Sequence, residues 1–158
     1  MIAVIGCGNR NRSDDGAGPA VVSALLARGH SSCGVKLLDA GTDGMAVMFA
    51  ARGCRTLILV DACRSGSPAG TIFEVPGGKL ESPHEPSLNL HDFRWDHALY
   101  AGRRILRHEF PSDVTALLIE AQTVDFGVGL SPEVAAAAEK VADRIEAMIA
   151  ARLAAASS

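Results

Sequence analysis

The sequence predicts an α/β fold: a three-layer α/β/α sandwich with a mostly parallel central sheet of about five strands. Three observations predict it. Short apolar runs alternate with amphipathic stretches of helical period. Apolar residues make up 48% of the chain but aromatics only 4%, so Ala, Val, Leu and Ile must fill the core, as they do where helices cover a parallel sheet. Finally, residues 56–61 (TLILVD) are apolar on both faces, which suits a central strand covered from each side. At 158 residues the chain fits a single domain spanning 1–158, and it shows neither an internal repeat nor a linker.

Each element has its own signal. Residues 2–6 (IAVIG) read as a buried strand that breaks at Gly6 and Gly8. A helix is expected next, with Asp14 and Asp15 at its start, Val21, Val22, Leu25 and Leu26 as its apolar stripe, and Gly29 as its stop. Residues 35–39 (VKLLD) form a second strand, followed by the AGTDGM loop and a short helix over 44–52. The third strand, 56–61, closes on Asp61, and a fourth covers 71–75. The Pro/Gly/Ser-rich stretch 76–86 is a loop. A long helix then starts near Asn89, with Trp95, Leu99, Gly102 and Leu106 on one face, and 114–119 give the fifth strand. The last helix opens on Ser131 as cap and Pro132 at its first position, and buries Val134, Ala138, Val141, Ile145 and Ile149; the tail beyond Leu153 is expected to fray.

A net charge of -3 gives no pull toward nucleic acid or anionic lipid, so neither is expected as a partner. The first residues run straight into a strand with no leader pattern, and no apolar stretch approaches the roughly 20 residues of a membrane span, so the protein is expected to be cytoplasmic, with no membrane partner. Cys7, Cys33, Cys54 and Cys63 form no Cys-x-x-Cys pair and read as buried small hydrophobes.

In a sheet of this kind ligands gather at the carboxyl ends of the strands, here the GCGN turn, the DAGTDG loop and Asp61. A dinucleotide fingerprint is disfavoured, because Asn11 stands where the third glycine belongs and Asp14-Asp15 would oppose a pyrophosphate. Asp15, Asp61 and His91 make a better constellation, since two carboxylates and an imidazole are a sensible ligand set for nickel or zinc. Each also has an ordinary structural role: Asp15 beside a helix dipole, Asp61 in a turn, His91 in a first helical turn. Spacing alone leaves both readings open.

Residues 6–18 (GCGNRNRSDDGAG) resemble the N-terminal motif of the [NiFe]-hydrogenase maturation proteases, a GxGN turn followed by an acidic pair and glycine. DAGTDGM at 39–45, LILVDA at 57–62, LHDF at 90–93 and IEAQTVDFGVGLSPEV at 119–134 resemble the family's later motifs in the same order. The resemblance implies an endopeptidase that removes the C-terminal extension of a hydrogenase large-subunit precursor once nickel is in place. Asp15, Asp61 and His91 would then be both catalytic and metal-contacting, and Thr42, Asp43 and Gly44 substrate-binding. Nickel would arrive with the precursor, with no tightly bound cofactor of the protein's own. Arg10 and Arg12 stand where the family more often carries apolar residues; they are expected to pair with Asp14 or to reach carboxylates of the precursor. The alternatives are a non-catalytic metal- or anion-binding module using the same trio and arginines, or another hydrolase on the same fold.

Overall fold

The computed structural model describes residues 1–83 and 93–158. Among them the chain forms β1 (Ile2–Cys7), α1 (Ala17–Ala27), β2 (Val35–Gly41), α2 (Gly44–Ala51), β3 (Thr56–Cys63), β4 (Ile72–Pro76), α3 (Trp95–Ile105), β5 (Asp113–Glu120) and α4 (Pro132–Ala156). The strands lie in the order β2-β1-β3-β5-β4. β1, β2, β3 and β5 run parallel, and β4 pairs antiparallel with β5 at the edge.

Alternation along the strands sorts the core into two layers. Ile2 and Val4 of β1, Ile58 and Val60 of β3, and Leu117 and Ile119 of β5 face α1 and α4. Ala3 and Ile5, Leu57 and Leu59, and Ala116 face α2 and α3. Both sets are buried, which is why TLILVD carries no polar face. The sandwich expected from the sequence is the observed one. Gly18 lets α1 sit directly on the sheet, because a Cβ there would collide with the carbonyl oxygens of Cys7 and Val60.

Several boundaries differ from expectation. Asp14 and Asp15 belong to a 3-10 turn, Ser13–Gly16, and α1 begins only at Ala17. α3 starts at Trp95 with an extended Arg94 before it, not near Asn89. Its apolar face is as expected, with Trp95, Leu99 and Gly102 buried. Asp61 lies two residues inside β3, whose pairing with β5 continues to Cys63 and Glu120. α4 continues past Leu153 to Ala156, beyond the boundary expected from the sequence, as a run of the strongest helix former favours. Cys7 and Cys54 are buried as expected, whereas Cys33 is exposed and Cys63 half-buried. Among the described residues no helix is long and apolar enough to cross a membrane.

Candidate active site

The carboxyl ends of β1, β2 and β3 open into a cleft of about 710 Å³. Its lining includes Gly8, Arg12 and Asp15 from the loop after β1, and Gly41, Thr42, Asp43 and Gly44 from the loop after β2. Asp61 and Cys63 come from β3, and Arg94, Trp95 and Asp96 from the start of α3. The structure thus brings Asp15, Asp61, Thr42, Asp43 and Gly44 together. His91, the remaining member of the trio, lies outside the described residues.

Asp15 is presented by a tight return of the chain. Gly8 has φ of 127° and a Cβ there would meet the Asp15 carbonyl, so only glycine lets the turn close. The Asn9 N–H then donates to Asp15 Oδ2 at 2.8 Å, which fixes the carboxylate against the turn.

Asp61 is 6% exposed and anchored at both oxygens. The Ala62 N–H donates to Oδ1 at 2.8 Å and the Trp95 Nε1–H to Oδ2 at 2.7 Å, with the Arg94 guanidinium 3.8 Å from Oδ2. Burial pushes the carboxyl up, to about 7, and the nearby Asp15 charge adds to it; the donors from Trp95 and Ala62 and the Arg94 charge work the other way. Trp95 is the participant that helical periodicity missed. Its ring packs in the α2/α3 layer while its N–H serves the carboxylate. The available signal was that a buried indole needs an acceptor.

Neighbouring acids in the turn have opposite fates. Asp14 is completely buried. Its carboxylate accepts from the N–H groups of Gln122 (2.9 Å), Thr123 (3.1 Å) and Ser131 (2.7 Å) and from Ser131 Oγ (2.9 Å). Burial pushes Asp14 up, but the donors from Ser131, Thr123 and Gln122 outweigh it and hold the group below its ordinary value. Asp14 therefore clamps the β1 loop to the start of α4, with no arginine involved. Arg10 pairs with Asp39 at 2.9 Å and donates to Ser23, while Arg12 donates to the Val124 carbonyl and stacks over Phe126. The expected pairing of Arg10 or Arg12 with Asp14 is thus replaced by these contacts.

The loop after β2 is equally built. Asp43 caps α2, its Oδ1 accepting from the N–H groups of Met45 (2.9 Å) and Ala46 (3.1 Å), and the Gly44 N–H donates to the Phe93 carbonyl at 3.2 Å. Glu120, in the segment that resembled the family's glutamate motif, accepts from the N–H groups of Ser65 and Gly66 and from the Ser65 hydroxyl, fixing the loop after β3.

Neither thiol in the cleft is a ready nucleophile. Burial and the charges of Asp61 and Asp39 push Cys7 well above its ordinary value. Burial and a bond to Glu120 push Cys63 up to about 12. Four carboxylates line the cleft, Asp15, Asp43, Asp61 and Asp96; Asp43 is taken up in capping α2, while Asp15 and Asp61 act on one another, the charge of the first pushing the second up. Their mutual repulsion is what an intervening divalent cation would relieve, so the donor set fits a metal presented from the open side. Among the described residues no group of three or more His, Cys, Asp or Glu forms a metal cage of its own.

The family model described as hydrogenase maturation protease matches residues 19–148, a stretch that begins past Asp15 and contains Asp43 and Asp61. The hydrogenase expression/formation protein HupD of Thiocapsa roseopersicina is 31% identical over 137 residues, covering 84% of this chain and 60% of that protein. The chain therefore spans about three fifths of the length of that relative. The hydrogenase 2 maturation protease of Escherichia coli K12 is 28% identical over 149 residues, covering 94% of this chain and 90% of that protein. Among solved structures, the hydrogenase maturating endopeptidase HybD from E. coli superposes with a TM-score of 0.78 at 24% identity, over 96% of this chain and 93% of that one.

Proposed function

Because the chain belongs to the hydrogenase maturation protease family, we propose that it is an endopeptidase that removes the C-terminal extension of a [NiFe]-hydrogenase large-subunit precursor after nickel insertion. The observation that carries the reading is that Asp15 and Asp61 share one open cleft at the strand ends, with the loop of Thr42, Asp43 and Gly44 as its wall.

In this reading the metal belongs to the substrate. Asp15 and Asp61 face the nickel site of the precursor, His91 is the third contact that the family resemblance implies, and the tail runs along the 41–44 loop. Bound nickel supplies Lewis acidity, which polarises a carbonyl or makes water more acidic. The chain's own part is positional. Asn9 holds the Asp15 carboxylate, and Trp95 and Ala62 hold that of Asp61, so neither must reorganise when the peptide arrives. Asp61, held near 7 before the precursor arrives, is partly protonated at neutral pH and gives up that proton when the charge of the precursor's nickel approaches. Covalent catalysis by cysteine is disfavoured, because a thiol held at about 12 (Cys63) or higher than usual (Cys7) has almost no thiolate. Of the two arginines of the anion-binding alternative, Arg10 is already committed to Asp39 and Ser23, which leaves Arg12 alone at the cleft. The cytoplasmic location expected from the sequence belongs to the same proposal.

The deciding experiment presents nickel-loaded and nickel-free precursor to metal-stripped protein at neutral pH. Cleavage of the loaded form alone is expected. Equal cleavage of the nickel-free form would overturn the role given to the metal, and cleavage of neither would overturn the activity.

A further inference from the structure

The loop between β5 and α4 exposes two large apolar side chains, Phe126 at 85% and Val128 at 89%. Other strongly exposed hydrophobics, such as Leu26 on α1, Phe49 on α2 and Ile105 at the end of α3, sit one to an element. A pair two residues apart on one loop is a different situation, because it offers a partner a contiguous apolar surface.

This loop is not loosely held. The Ser13 N–H donates to the Gly127 carbonyl at 2.8 Å and the Gly127 N–H to the Asn11 carbonyl at 2.9 Å. Ser13 Oγ donates to the Asp125 carbonyl at 2.8 Å and Arg12 Nε to the Val124 carbonyl at 3.0 Å. Asp14 fixes both ends through Gln122, Thr123 and Ser131. Phe126 and Val128 are thus displayed by backbone already in place, which removes the ordering cost that a flexible loop would pay on binding.

Arg12 links this surface to the cleft. Its guanidinium lies 5.1 Å from the centre of the Phe126 ring, and the same residue, with Val124, lines the cleft. Among the described residues Arg12 has no ion-pair partner. We propose that Phe126, Val128 and Arg12 form a docking surface for the folded body of the precursor whose tail enters the cleft, and so the proposal rests on the function inferred above. The matching patch is apolar with a carboxylate beside it: apolar side chains cover Phe126 and Val128, and the carboxylate pairs with Arg12. Continuity with the cleft selects this occupant, because only a molecule already in the cleft reaches both at once. Aromatic and arginine side chains are also the residue types that dominate binding at protein interfaces.

The test compares the starting protein, Phe126→Ser/Val128→Ser and Arg12→Gln, each checked for an unchanged melting midpoint. Calorimetry measures binding to the nickel-loaded precursor and to a synthetic peptide of its C-terminal tail. The double variant is expected to bind the precursor at least tenfold more weakly while its affinity for the tail peptide stays the same. Arg12→Gln is expected to flatten the salt dependence of precursor binding. Unchanged precursor affinity in the double variant, while the starting protein still cleaves, would overturn the docking surface alone. Equal losses for peptide and precursor would overturn it too, as would a self-association that the double variant abolishes with precursor binding intact. A starting protein that neither binds nor cleaves precursor would overturn the function and the docking surface together.

Discussion

Asp61→Asn keeps the shape of the side chain and removes its charge, and it is expected to abolish tail removal while shifting the stability difference in its own favour as pH rises through 7. The expectation comes from linkage. Burial holds the Asp61 carboxyl at about 7 in the fold, against an ordinary value of 3.8 in the unfolded chain. Between those values the folded state binds the proton more tightly, so stability falls as pH rises from about 4 to about 7 and stays at its reduced level above. At about 1.36 kcal/mol per tenfold change, a displacement of roughly three tenfold steps costs at most about 4 kcal/mol once Asp61 is ionised. Relaxation and water entry in the open cleft should reduce this to about 2–3 kcal/mol. Asparagine never incurs that cost. The asparagine NH2 only donates, so either the Trp95 or the Ala62 N–H loses its acceptor, whereas the protonated acid can still accept at both oxygens; the variant should therefore be less stable by about 1–3 kcal/mol at pH 4, and the gap should close as pH rises through 7. Urea unfolding from pH 4 to pH 8.5 measures the gap. A variant less stable by a constant amount at every pH would refute the reasoning, because it would mean that ionised Asp61 sits in the cleft without penalty.

Three further outcomes are expected. Asp14→Ala removes four hydrogen bonds and leaves buried N–H groups without acceptors, so it should cost about 3–5 kcal/mol. Because Asp14 is held below its ordinary value, its contribution is complete above about 3.9 and disappears as pH falls through the lower folded value, so the acid-unfolding limb should flatten in the variant. Trp95→Phe keeps the packing but deletes a donor to the ionised Asp61, so the rising limb of cleavage activity near pH 7 should move to higher pH; an unmoved limb would show that Asp61 is not the group behind it. Gly18→Val drives a side chain into the Cys7 and Val60 carbonyls and should cost about 3 kcal/mol, the upper end for overpacking, read as a fall in the denaturation midpoint.

The layered core was legible because burial on two faces demands uninterrupted apolar runs, and 2–6 and 56–61 are just that. The direction of β4 was harder to read. Yet nothing between Cys63 and Ile72 is long enough for a helical crossover, so reversal next to β5 follows from connection length. The cleft could be located in advance from strand ends, and Asp15, Asp61, Thr42, Asp43 and Gly44 do meet there. Asp15 was the expected member of the adjacent pair and does line the cleft, but the complete burial of Asp14 beside it was not legible. Asp14 and Asp15 are chemically identical, and only the 3-10 geometry of Ser13–Gly16 together with donors more than a hundred residues away separates a clamp from a cleft carboxylate. Trp95 was half legible for a related reason: periodicity reports the ring's burial, and with it the need for an acceptor, but not that Asp61 is the acceptor.

The clamp at Asp14 also sets an order of events during synthesis. Its partners, Gln122, Thr123 and Ser131, emerge from the ribosome more than a hundred residues after it. At about 5–20 residues per second, β1 and its loop wait several seconds or longer for them. Until then a carboxylate destined for complete burial has no donors, and stays in water. The turn that carries Asp15 therefore cannot take its final shape on the growing chain, and the cleft is among the last parts of the protein to exist.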